Sequence, residues 1–166
     1  TFTEGLLGLS EVALTQRINA PLDDALAAMR SATANSTDPQ LFLSRGRLER
    51  LAGNPDSALR ALRVAQTLGG PDAMLWLEIS RTIPLVATSV REWLHLPPED
   101  SAYALGAMSD DSAVVALYRM DIAPIAEDTA LYHFDALRGA ERAKWLKQFW
   151  LTRDQLDLRA PGPRMA

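Results

Sequence analysis

PQLFLSRGRLERLAGNPDSALRALRVAQTLGGP, residues 39–71, decides the fold. Phe42, Leu43, Leu48 and Leu51 mark the apolar positions of a helix over Gln40–Ala52, and Gly53-Asn54-Pro55 stops it. Ala58, Leu62 and Ala65 then fall at helical spacing over Asp56–Leu68, and Gly69-Gly70-Pro71 ends that run. Two helices joined by so tight a turn must run antiparallel, as an αα-hairpin.

Outward from this pair the chain keeps reading as helix. On the amino-terminal side, Pro21-Leu22-Asp23-Asp24 places proline and acids in the first turn of an Ala-rich run ending near Ala34. Leu6, Leu9, Val12 and Leu14 mark a short helix before it, with Asn19 and Pro21 as the break. Asn35-Ser36-Thr37-Asp38-Pro39 is a second break, with Asp38 or Thr37 as the cap of the next helix. On the carboxy-terminal side, Pro84 interrupts the next helix and Pro97-Pro98-Glu99-Asp100 opens a new segment. Helices are expected over Ser101–Met108, from Asp110-Asp111-Ser112 through Tyr118, from Glu127-Asp128 through Leu137, and over Ala140–Asp154. The last is expected to be the most amphipathic, with Trp145, Leu146, Phe149 and Trp150 packing on Leu131, Phe134 and Leu137. Arg159-Ala160-Pro161-Gly162-Pro163-Arg164 cannot be regular structure. Strand signals are nearly absent, so the expected class is all-α.

Composition bounds the function. The 166 residues are 48% apolar and 23% charged, near the average of globular chains. No uncharged stretch exceeds the nine residues of 82–90 and 101–109, and that of Val64–Pro71 has eight; all are far too short to span a bilayer, so membrane association is expected only through partners. No basic region followed by an apolar core begins the chain, and it starts at Thr1 rather than Met, as a processed form or a fragment would. A net charge of −4 disfavours nucleic acid as a partner. With no cysteine there is neither a disulfide nor a thiolate metal site. Charge is uneven: basic around Arg45, Arg47, Arg50, Arg60 and Arg63, acidic over 72–111, basic again over 138–164.

Candidate chemistry meets a structural explanation site by site. His95 and His133 lie on different expected helices, neither with a second ligand at metal spacing. The pairs Asp23-Asp24, Glu99-Asp100, Asp110-Asp111 and Glu127-Asp128 could do acid–base work, but all precede or open helices, where acids satisfy free N–H groups. The glycines lack a phosphate-binding pattern. Asn35-Ser36-Thr37 has the form of a glycosylation sequon. No catalytic, cofactor-binding or metal-binding residue is assigned, and the chain is read as non-enzymatic.

The stretch 39–70 resembles the tetratricopeptide (TPR) family. Gly46, Gly53, Ala58, Leu62 and Ala65 fall at its small and large-apolar positions, and Trp76 follows Phe42 by 34 residues, the period of that repeat. In the second unit Ser80, Ala87 and Glu92 replace small residues. The resemblance implies a right-handed stack of antiparallel helix pairs over 1–109. It also implies a concave groove lined by Arg47, Arg50 and Arg81. Those arginines read either as solvated or as a basic groove for an acidic segment or a C-terminal carboxylate.

A second resemblance rests on Ala140-Glu141-Arg142-Ala143-Lys144-Trp145-Leu146-Lys147-Gln148-Phe149-Trp150, then Arg153-Asp154 and a Pro-Gly loop. Over 125–163 this is similar to the opening of the bacterial GWxTD domain, without the Gly-Trp-x-Thr-Asp motif itself. It assigns 110–166 to a helical segment with an extended tail, and implies a periplasmic or otherwise exported protein with an interaction role. Trp145, Phe149 and Trp150 are core residues on one reading and interface anchors on the other. The expected function is a protein–protein interaction scaffold or adaptor. The alternative is an accessory subunit built permanently into a larger complex, such as a photosynthetic or respiratory membrane assembly.

Overall fold

The computed structural model describes residues 2–16, 19–69, 72–87, 89–90, 94 and 99–156. His95, the Pro97-Pro98 break, Glu92 and the tail from 157 lie outside the described residues. The described residues are all-α, with nine helices and no strand. In order they are α1 (Phe2–Gln16), α2 (Asn19–Thr33), α3 (Pro39–Leu51), α4 (Pro55–Gly69), α5 (Ala73–Thr82), α6 (Glu99–Ala107), α7 (Ser112–Ile122), α8 (Asp128–Ala136) and α9 (Gly139–Leu156). A 3-10 turn, Ile83–Leu85, follows α5. None of these helices is long and apolar enough to cross a membrane.

The boundaries follow local chemistry. The Asp38 carboxylate accepts from the Gln40 N–H at 2.9 Å, with Pro39 in the first turn of α3. At the other end Gly53 takes φ 78°, the Gly53 N–H donates to Arg50 O and the Asn54 N–H to Glu49 O. This closure needs a left-handed residue, and glycine takes it without strain. Asp72 caps α5 through the Leu75 N–H, and α5 gives way to the 3-10 turn where Pro84 enters. Asp111 caps α7 by accepting from both Ala113 N–H and Val114 N–H.

Each of the first five helices packs on the next, α3 most extensively on α4, and α1 and α5 also touch α3. Gly46 permits the tight α3–α4 crossing, since a Cβ there would stand 2.6 Å from the Leu62 side chain. Gly106 does the same for α6, where a Cβ would run into Tyr118 Oη and stand 2.9 Å from Ala73 O. The core falls in three clusters: Leu6, Ala13, Leu26 and Met29 against Leu41 and Leu48; then Leu59, Leu62, Leu75, Ile79 and Ile83; then Leu77, Tyr103, Tyr118, Phe134, Leu146 and Trp150. Tyr103 and Ala107 share that last cluster with Val114 and Leu146, so packing runs through position 109/110.

Two helices turn differently from the expectation. On α1 the buried side is Leu6, Ser10 and Ala13, while Leu9 and Val12 are exposed. On α9 the buried stripe is Arg142, Leu146, Trp150 and Asp154, offset from Trp145 and Phe149, and charged at both ends. Helix α9 is therefore not the most amphipathic helix; α4 is. The main support of α9 is α6, far away in sequence, rather than the preceding helix.

Candidate functional site

The arginines singled out in the sequence converge on one buried acid. Glu78, in the middle of α5, is 2% exposed at its side chain. Its Oε2 accepts from Arg50 Nε at 3.1 Å and Arg50 Nη2 at 2.9 Å. Its Oε1 accepts from Arg81 Nη1 at 3.4 Å and lies 3.7 Å from Arg47 Nε. The ends of the array are acids too. Arg47 pairs with Glu11 on α1, and Arg81 Nη2 donates to Asp121 Oδ1 on α7 at 2.7 Å. Carboxylates and guanidinia thus alternate across α1, α3, α5 and α7, three of each sign. Burial of Arg81 opposes its charge, but Asp121 and Glu78 outweigh it and hold the guanidinium more firmly protonated than usual. Asp121 is pushed the other way: burial raises its carboxyl above the ordinary range, and Arg81 only partly offsets this.

A second buried acid repeats the arrangement. Glu49 on α3 accepts from Arg30 Nε at 2.8 Å and Arg30 Nη2 at 2.7 Å, a bidentate pair binding α2 to α3. Asn54 and Arg45 complete its surroundings. Burial alone would raise its carboxyl, but the Arg30 hydrogen bonds and charge, with Asn54 and Arg45, bring it below the ordinary range.

The aromatic candidates separate into core and surface. Trp150 is 3% exposed and donates its indole N–H to Tyr103 Oη at 3.2 Å. Tyr118 Oη in turn donates to the Tyr103 carbonyl at 2.6 Å, and the two tyrosine rings meet edge to face at 4.7 Å. Burial pushes both phenols above their ordinary range. Trp150 therefore holds α9 on α6, and a residue so covered offers no surface to a partner. Trp145 and Phe149 are only partly buried. Their rings stack at 5.3 Å with 25° between planes, and Trp145 also meets Phe134 and His133 at 5.9 Å. Together they form one wall of an open groove of about 330 Å³ between α9 and the start of α8. Ile125, Ala126, Ala130 and Leu156 supply the rest of its apolar lining, and Glu127, Gln148, Thr152 and Arg153 its polar edges.

Of the acid pairs, Asp110-Asp111 has local duties, whereas Asp23-Asp24 falls beyond the first turn of α2, which begins at Asn19 rather than after Pro21, and Glu127 makes no side-chain cap bond to α8. Asp111 is a helix cap, and Asp110 accepts from the Gly139 N–H at 3.1 Å and Arg142 Nη2 at 3.0 Å. Asp135 is paired with Arg119 rather than with its neighbour His133. Among the described residues no three of His, Cys, Asp and Glu are grouped to hold a metal ion. Sequence reasoning missed Glu49, Glu78, Asp121 and Arg142. For Glu78 a signal existed: a lone acid within Met74-Leu75-Trp76-Leu77-Glu78-Ile79 falls on an apolar helix, where a charge needs a partner. No known protein family, no curated protein and no solved structure matches the chain.

Proposed function

We propose that this chain is a non-catalytic scaffold or adaptor that binds other proteins, and that its docking surface is the groove beside Trp145 and Phe149. The observation that carries this reading is an aromatic pair walling an open concavity, with Leu156 at 72% and Ile125 at 38% exposure on its rim. Single exposed apolar residues need no explanation, but stacked aromatics in a concavity are the usual anchors of protein contacts. Arg47, Arg50 and Arg81 enter this reading as the frame that joins helices. An acidic segment or C-terminal carboxylate seeking those arginines would have to displace Glu78, Asp121 or Glu11. The TPR-like attribution of 1–109, with its right-handed stack, belongs to the same proposal. So does the GWxTD-like attribution of 110–166, with export to the periplasm as its consequence. Both rest on the residues that carry the resemblances.

The test uses the cysteine-free background. A photoreactive probe attached through Gln148→Cys in the full chain should cross-link one protein in stoichiometric amount in the native source. Phe149→Asp should abolish the adduct while the helical circular-dichroism signal stays intact. A Phe149→Asp chain that still yields the adduct, or a groove probe that yields none, overturns the docking surface.

One observation favours the accessory-subunit reading. Apolar side chains stand exposed on several helices, including Leu9 and Val12 on α1, Leu105 on α6 and Met120 on α7. A subunit enclosed by neighbours would cover them on several sides at once. That reading predicts co-purification at fixed stoichiometry and no cooperative thermal transition for the isolated chain. A sharp transition of the isolated chain counts against it.

A further inference from the structure

Asp121 differs from the other acids of the array. Its Oδ1 accepts from Arg81, but Oδ2 is buried and meets no hydrogen-bond partner. The side chain is 10% exposed. Charged and titratable groups face it from every side of the junction: Arg50 from α3, Glu78 and Arg81 from α5, Tyr103 from α6, and Tyr118 from α7 itself. Tyr103 Oη is itself held by the indole N–H of Trp150 on α9. Arg81 is shared, since its Nη1 lies 3.4 Å from Glu78 Oε1 while its Nη2 serves Asp121. Two acids draw on one guanidinium, and Glu78 has Arg50 besides. A neutral carboxyl is far easier to bury than a carboxylate with an empty side. Neutral Asp121 would also leave Arg81 to Glu78 and remove the repulsion between the two acids.

We infer that Asp121 is a proton-binding site at the junction of α5 and α7, and that these helices are held more tightly when it is occupied. The direction of its titration agrees: burial raises the carboxyl above 3.8, Arg81 opposes the rise and Glu78 adds to it. A raised value in the folded state means that folding takes up a proton. The stabilisation is complete below the ordinary value and fades as pH rises through the raised one. Glu49 and Asp110 act oppositely at lower pH, because both are held below their ordinary values. The stability maximum therefore falls on the acid side of neutrality. Helix α5 carries Glu78, the centre of the arginine array, and α7 leads into the groove-bearing helices, so a proton here sets how firmly the two are joined.

The experiment compares the full chain with its Asp121→Asn variant, which mimics the neutral acid. On acidification from neutral pH toward the ordinary aspartate range the wild-type Tm should rise, while Asp121→Asn starts from the raised Tm and shows no such rise. Carbon-13 carboxyl resonances of the wild-type chain should place the Asp121 midpoint above 3.8. A midpoint at or below that value overturns the inference, as does an Asp121→Asn variant with the wild-type pH profile. If the variant does not fold, the wild-type titration decides.

Discussion

Replacing Glu78 by alanine removes the acid on which three arginines converge. The substitution deletes three hydrogen bonds, two from Arg50 and one from Arg81, and the weaker Arg47 contact. It leaves Arg50 with no ion pair among the described residues, while Arg47 keeps Glu11 and Arg81 keeps Asp121. Breaking a buried pair by removing one partner costs roughly 3–5 kcal/mol, because the remaining charge stays buried and unmatched. The arginine side chains here are 15–25% exposed and so retain some water. That places the cost near the lower limit, at about 3 kcal/mol. Against a total stability of roughly 5–15 kcal/mol this is a large loss, equivalent to a fall in Tm of about 6–12 °C. Urea unfolding followed by circular dichroism, with the midpoint converted through the slope, measures it directly. A cycle with Arg50→Ala should return a coupling of at least about 1 kcal/mol. A Glu78→Ala chain within about 0.5 kcal/mol of wild type would refute the reasoning, since that is the range of ordinary surface substitutions.

Three further outcomes are expected. Gly106→Ala drives a methyl onto Tyr118 Oη and the Ala73 carbonyl, and should cost about 1–3 kcal/mol by thermal melting, whereas Gly5→Ala, with open space around it, should not destabilise. Asp111→Ala removes the cap bonded to Ala113 and Val114 and should cost about 1 kcal/mol in the same assay. Glu49 is held below its ordinary value of 4.5, so its contribution is present above that value and is lost as pH falls through the lower, folded one. Arg30→Met should therefore lower stability most at neutral pH and flatten the acid limb of a stability–pH curve; a parallel curve would show that Arg30 does not hold the Glu49 carboxylate.

How far the sequence carried the structure depends on the range of the determining contact. Helix positions and breaks were legible because their causes are local: Asp38 before Pro39, Gly53 after Leu51, Pro84 beyond Thr82, Asp111 before Ser112. Which side of a helix faces inward was less so. Leu9 and Val12 belong to an apolar periodicity on α1, but Leu6, Ser10 and Ala13 fit the surface that α2 and α3 offer. On α9 the reading named Leu146 and Trp150, which are buried with Phe134, together with Trp145 and Phe149, which stand beside the stripe that α6 covers. The buried acids were least legible. Arg50 meets Glu78 across 28 positions and Arg81 meets Asp121 across 40, and no spacing rule reaches that far. Of the surface candidates, Trp145 and Phe149 line the groove, while Trp150, the next residue along, is inside.

Arg142 has a consequence for connectivity. Its guanidinium, 2% exposed at the side chain, takes hold of the Ser109 carbonyl, the Asp110 carboxylate and the Leu137 carbonyl. Asp110 also receives the Gly139 N–H. The two feet of the excursion formed by α7 and α8 are thus tied at one point, and its tip, Ala123 to Ile125, is exposed. A peptide bond cut at that tip would leave both pieces anchored by the same side chain. The covalent link there is redundant, and the chain could be given new ends at 123–125 while α6 and α9 keep their places.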